Sequence, residues 1–175
     1  MSQAKRIYLD TEFHQRVIRG IPSLELISIA LVEEGGRSLY LASKEFNLAA
    51  AKRNPWLRQN VLPKLPPQQN WKTRRDIRDA VLNFLGPDDV QMVYWVIPHD
   101  IVLFEQLIAS TVTTIPKNIE RTSYNLAQHW ADLEKPAILP EVDTTQEHSA
   151  LYDAYWLRDV DIALRQYAQS KPKPA

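Results

Sequence analysis

The sequence predicts a mixed α/β protein, and three observations carry that expectation. Strand-type runs fill the region before Asn47, helical periodicity takes over after it, and one further apolar strand, Val90–Ile97, stands between helices. The order is strand-strand-strand-helix-strand-helix-helix, with no internal repeat. A length of 175 residues suits one domain over 1–175 with a sizeable core.

The elements follow in order. In Lys5–Glu12, the apolar Ile7-Tyr8-Leu9 run straight into Asp10-Thr11-Glu12. Leu24–Glu34 (LELISIALVEE) is a second strand, Gly35-Gly36 a hairpin turn and Arg37–Phe46 the returning strand. Leu48–Leu62 reads as helix interrupted at Pro55, whose nitrogen carries no hydrogen to donate. Pro63–Pro67 (PKLPP) reads as a rigid extended break. Thr73 is an N-cap for a helix over Arg74–Leu85, with Asp76 in its first turn and Gly86-Pro87 as its stop. Val90–Ile97 is a buried strand by length and composition. Pro98 opens a helix over His99–Ala109 with Ile101, Phe104, Leu107 and Ile108 on one stripe. Ser123–Glu134 is a further helix and Lys135–Gln146 a proline-containing loop. A last helix over Ser149–Gln169 repeats apolar residues at Ala150, Leu151, Ala154, Leu157 and Leu164, and the tail Ser170–Ala175 frays.

The 21 basic and 21 acidic residues cancel, which argues against holding nucleic acid by bulk charge. A local strip, Lys72, Arg74, Arg75 and Arg78, is interleaved with Asp76 and Asp79 and reads first as a solvated helix face. The absence of cysteine excludes disulfides and thiolate chemistry. The N-terminus lacks the apolar region of a secretory signal, and no apolar run approaches the ~20 residues of a membrane span. A cytoplasmic protein without a membrane partner is the expectation.

Candidate chemistry lies in acids at comparable places. Asp10 and Glu12, two apart on a strand, point the same way. Asp100 opens the helix after Val90–Ile97, Asp153 lies at the start of the last helix, and His148 precedes it by five residues. Strand ends and helix starts converge at one sheet edge in α/β proteins. Each acid also has a plainer reading: Asp10 and Glu12 as solvated strand-end groups, Asp100 as a complement to its helix dipole. If all four meet, they repel, and hard divalent ions such as Mg²⁺ or Mn²⁺ relieve that repulsion through oxygen ligands. Two such ions suit in-line attack on a phosphodiester, with a histidine as base. His14, His99 and His129 lack such context and read as structural or surface groups. Among the tryptophans, Trp95 reads as core, while Trp56 and Trp71 remain candidates for stacking on bases.

Asp10-Thr11-Glu12-Phe13, the acid opening the helix after strand four, and His148-Ser149-Ala150-Leu151-Tyr152-Asp153-Ala154 together resemble the DEDDh class of 3'–5' exonucleases. LELISIALVEEGG, SKEFN, WLRQNVLPKLPP and YWVIPHDIVLFEQL are similar to its small bacterial exoribonuclease subgroup of the mycobacterial type, polyadenylate-specific 3'-exoribonuclease AS. The resemblance spans roughly residues 5–160. It implies an RNase H-like exonuclease fold with a mixed, about five-stranded sheet flanked by helices. Asp10, Glu12, Asp100 and Asp153 would be ligands of two Mg²⁺ or Mn²⁺ ions, His148 the general base, and Phe13 a contact to the terminal nucleotide. The implied activity is a 3'–5' exoribonuclease that acts on RNA 3' ends and releases nucleoside 5'-monophosphates, working as a homodimer. A DNA exonuclease of the proofreading or repair kind, and a catalytically silent binding relative, stay open beside it. The chain departs from the wider class in having FHQRVIRG, without an early glycine, after the acidic pair.

Overall fold

The computed structural model describes residues 4–96, 98–109, 111 and 114–171. Five strands form one mixed sheet: β1 (Lys5–Ile18), β2 (Ile21–Glu33), β3 (Ser38–Ala42), β4 (Val90–Tyr94) and β5 (Tyr124–Asn125), in the order β3-β2-β1-β4-β5. β1 pairs antiparallel with β2 and parallel with β4, and β5 is parallel to β4. The helices are α1 (Leu48–Arg53), α2 (Pro55–Asn60), α3 (Arg74–Leu85), α4 (His99–Ile108), α5 (Leu126–Asp132) and α6 (Ala150–Ser170).

β1 sits at the centre, and its alternating side chains feed both faces. Ile7 and Leu9 join the core formed with Ile77, Val81, Leu103 and Phe104 of α3 and α4. Tyr8 joins the opposite core with Ala150, Ala154, Leu157, Val160 and Leu164 of α6. A third cluster packs Ile27 against Phe46, Ala51, Leu57 and Val61 and anchors α1 and α2 to the sheet. β2 holds an extra residue there: Glu12 faces Ser28 and Phe13 faces Leu26, so Ile27 lies in a bulge beside Glu12.

Several boundaries differ from the sequence expectation. β1 continues past Glu12 to Ile18 and β2 begins at Ile21 rather than Leu24, because Arg19 (φ 52°) and Gly20 (φ 81°) make a two-residue turn that lets the pair extend as a ribbon beyond its neighbours. β3 stops at Ala42, and β4 stops at Tyr94, so Trp95 is outside the strand. The expected strand end at Ile97 falls outside the described residues, as do 172–175 of the expected frayed tail. Asn54 divides the expected Leu48–Leu62 helix by capping α2, its Oδ1 accepting from the Trp56 and Leu57 amides at 3.0 and 3.2 Å. Leu62–Lys64 is a 3₁₀ turn rather than extended chain, closed by the Lys64 amide on the Val61 carbonyl. Tyr124 and Asn125 leave the expected helix to form β5, which lies beside β4, and Asn125 caps α5. Thr73 caps α3 with Asp76 in its first turn, as the sequence predicts, and the two close a full capping box.

Asp161 is the one charged residue with no exposed surface among the described residues. It accepts from Arg6 Nη1 at 2.5 Å and Tyr8 Oη at 2.7 Å, and pairs with Arg165 Nε at 3.2 Å. The clasp ties α6 to β1 two residues before Asp10. A buried carboxylate satisfied this way becomes costly to the partners it leaves behind when removed. Asp161→Ala is therefore expected to lower unfolding free energy by about 3 kcal/mol or more in urea denaturation, because Arg6 and the Tyr8 phenol lose their buried acceptor while Arg165 keeps only Glu34.

Candidate active site

The same alternation that splits the core sorts the acids. Asp10 and Glu12 follow Tyr8 onto the α6 face of β1, while Thr11 turns toward α4. β4 leaves β1 after Tyr8, so further along that edge β1 has no ladder partner. There the Thr11 amide and hydroxyl both donate to Asp100 Oδ1, at 3.1 and 2.6 Å. Asp100 lies in the first turn of α4 and is drawn to the end of β1 by these two bonds.

Asp153 arrives from the other layer, in the first turn of α6. Its Oδ2 accepts from the His148 amide at 2.9 Å. His148 holds a left-handed backbone, φ 67°, a conformation that costs a non-glycine residue about 1–2 kcal/mol and that its surroundings must enforce. One ligand atom each from Glu12, His148 and Asp153 lie within 4.8 Å of one another. Asp10 is outside that closest triple but lines, with Glu147, His148 and Asp153, a cavity of about 250 Å³ walled by Trp95, Val142, Trp156 and Leu157.

The electrostatics are those of crowded acids leaving water. Burial first, then the neighbouring Asp100, Glu12 and Asp153, pushes the Asp10 carboxyl well above the usual range. Burial and the charges of Asp153 and Asp100 push Glu12 up to about 8, against the pull of Lys64. Asp153 is pushed up to about 6, chiefly by burial, with the His148 amide drawing it back. Burial raises Asp100 too, while the two Thr11 bonds hold it down. Four oxygen-bearing acids that each resist ionisation alone form a donor set suited to hard divalent cations.

Sequence reasoning missed two neighbours of this cluster, Thr11 and Lys64, and named a third, Trp56, only as a stacking candidate. Thr11 was legible only as the residue between two acids. Lys64, from the 3₁₀ turn, donates from Nζ to the Glu147 carbonyl, and nothing in PKLPP signals that reach. Trp56, 46% exposed on α2, sets its ring edge-to-face with His148, centroids 4.8 Å apart. Trp95, read as core, is half-buried, packs on Trp156 and walls the cavity. Trp71 is a structural group: it packs on Phe46 and donates to the Pro66 carbonyl. Phe13 is partly buried against the α3–α4 core and meets His99 edge-to-face at 5.1 Å. On the basic strip, Arg75 and Arg78 pair with Asp79, as a solvated face would.

Comparison with known structures defines the class first. The chain superposes on the crystal structure of cell-death related nuclease 4 (CRN-4) with a TM-score of 0.55 at 13% identity, over 95% of this chain and 64% of that one. The shared architecture is an α/β fold with a mixed five-stranded sheet flanked by helices, as the resemblance implied. No protein-family model matches the chain. Two proteins of Mycobacterium tuberculosis, the 3'-5' exoribonucleases Rv2179c (strain H37Rv) and MT2234.1 (strain CDC 1551), are each 38% identical over 154 residues, 85% of this chain and 86% of theirs. The chain belongs to the family of these mycobacterial 3'-5' exoribonucleases.

The raised carboxyls predict a pH dependence. The folded state binds protons at Glu12 and Asp153 more tightly than the unfolded chain, whose groups titrate at 4.5 and 3.8. Stability contributed by their protonation is complete below those values and is lost as pH rises toward 8. Metal-free protein is therefore expected to melt at progressively lower temperature between about pH 4.5 and pH 8. A divalent cation taken up by these acids would compete with the protons, so any gain in melting temperature on adding Mg²⁺ should grow over the same interval. Differential scanning calorimetry with and without the ion checks both slopes.

Proposed function

We propose that the protein is a divalent-metal-dependent 3'–5' exoribonuclease of the DEDDh type, releasing nucleoside 5'-monophosphates. The observation that carries this reading is the meeting of Glu12, His148 and Asp153 within 4.8 Å, beside Asp10 and Asp100, at the end of the central strand. The kinship with proteins named 3'-5' exoribonuclease supports the choice of RNA and of the 3' end.

In this reading Asp10, Glu12, Asp100 and Asp153 hold two Mg²⁺ or Mn²⁺ ions. Such ions, when bound, supply charge stabilisation to the attacking and leaving oxygens of a phosphodiester. His148 takes a proton from the attacking water on a ring nitrogen. The water oxygen bonds to phosphorus, the P–O3' bond breaks with its electron pair on O3', and that oxygen takes up a proton, so the shortened strand ends in a 3'-hydroxyl. Thr11 orients Asp100, the His148 amide orients Asp153, and Phe13 contacts the terminal nucleotide. Half-burial of the cluster strengthens each of these interactions by excluding water from one side.

The test uses a 5'-labelled oligoribonucleotide and the matching oligodeoxyribonucleotide, with Mg²⁺ or with chelator. The wild type should produce a ladder shortened from the 3' end and free nucleoside 5'-monophosphates, faster on RNA and not at all in chelator. Asp10→Asn and His148→Ala should each slow shortening by about 100-fold or more while the protein stays folded. Full activity in either variant, or a preference for DNA, would overturn the assignment.

A further inference from the structure

Lys64 and Trp56 belong to none of the roles above, yet both touch the loop that carries His148. We propose that they are positioning residues: the Lys64 ammonium and the Trp56 ring lock the Glu147-His148 turn, so that the imidazole stands over the acid cluster. This rests on the reading of His148 as the general base.

The need for a lock comes from the backbone. His148 sits at φ 67°, a conformation that only surrounding contacts sustain in a β-carbon-bearing residue. The turn before it is held from within, where the Gln146 and Glu147 amides donate to the Asp143 carbonyl at 2.9 and 3.0 Å and the Ser149 amide to Gln146 at 3.2 Å, and from α6 at its far end, where the Asp143 amide donates to Tyr152 Oη at 2.6 Å. Residues 141–146 are all exposed, so no core packing fixes them. Three contacts reach His148 from outside. Its own amide is spent on Asp153. The carbonyl of the preceding residue, Glu147, accepts from Lys64 Nζ. Its ring meets Trp56 edge-to-face at 4.8 Å.

The two outside groups are themselves well anchored. Trp56 opens α2 in a turn capped by Asn54, and Leu57 and Val61 beside it are buried in the cluster around Ile27. The Lys64 carbonyl accepts from Tyr40 Oη of β3 at 3.3 Å. The segment from Asn54 to Lys64 thus carries the sheet's rigidity to the His148 end of a loop whose other end is tied to α6 by Tyr152 and Trp156. It does so at both the backbone and the ring of His148. A base misplaced by about 1 Å can lose on the order of 100-fold in rate.

The experiment compares Lys64→Met, Lys64→Arg, Trp56→Ala and Trp56→Phe with wild type and His148→Ala. Lys64→Met and Trp56→Ala should lower kcat roughly 10- to 100-fold with KM for the oligoribonucleotide nearly unchanged. Lys64→Arg and Trp56→Phe, which keep a donor and a ring, should recover most of that loss. Imidazole NMR supplies a readout independent of activity: the His148 ring-proton resonances should move in Trp56→Ala, where the neighbouring ring current is gone, and largely return in Trp56→Phe. A kcat for Lys64→Met within about twofold of wild type would overturn the proposal. So would a loss confined to KM, which would make Lys64 a substrate contact, or unmoved His148 resonances in Trp56→Ala. Failure of the underlying functional reading looks different, since His148→Ala would then match wild type while the NMR shifts still appear.

Discussion

Like-charge crowding is the constraint around which this protein is organised. Four carboxylates from three elements share the end of β1, and burial makes each of them harder to ionise. No acid cluster of that kind assembles itself, so the fold must hold it against its own repulsion. The hydrophobic layers on both faces of β1 provide most of that force, with Ile7 and Leu9 in one and Tyr8 in the other. The buried Asp161 clasp adds a directional tie from α6 to β1 close to the acids.

Polar contacts then aim what the cores bring near. The early departure of β4 leaves the β1 edge free at Thr11, and Thr11 uses that freedom to grip Asp100. The bulge at Ile27 lets one residue of β2 serve the α1–α2 cluster while Ser28 stays opposite Glu12. His148 spends its amide on Asp153, which joins the loop before α6 to the helix that carries the acid. The consequence is a cluster whose acids from α4 and α6 are oriented by neighbours on separate elements.

Periodicity made the long elements readable. Thr73 with Asp76, and the apolar stripes of α4 and α6, depend on neighbours three or four residues away, and the structure reproduces them. The misread places are those settled by pairing that leaves no period in the sequence, some of it with partners far along the chain. β1 outruns Glu12 because β2 continues to pair with it, β4 ends before Trp95, and Tyr124-Asn125 are strand because β4 is beside them. Trp71 packs as a structural group rather than an exposed stacking one, and Trp95 both packs on the α6-face core and lines the cavity, because a tryptophan's burial depends on what folds over it, and composition is silent on that.

The sequence by itself determined the chemistry at hand: oxygen donors and one well-placed histidine, no thiol, and the spacing that puts Asp10 and Glu12 on one face of a strand. That much follows from residue identity and the two-residue period of the β backbone. Only the tertiary structure decided that Asp100 and Asp153, roughly 90 and 140 residues further on, reach the same point, and that Lys64 and Trp56 attend it. Such meetings are fixed by how layers stack across the sheet, and packing between distant segments leaves no periodic trace in the chain.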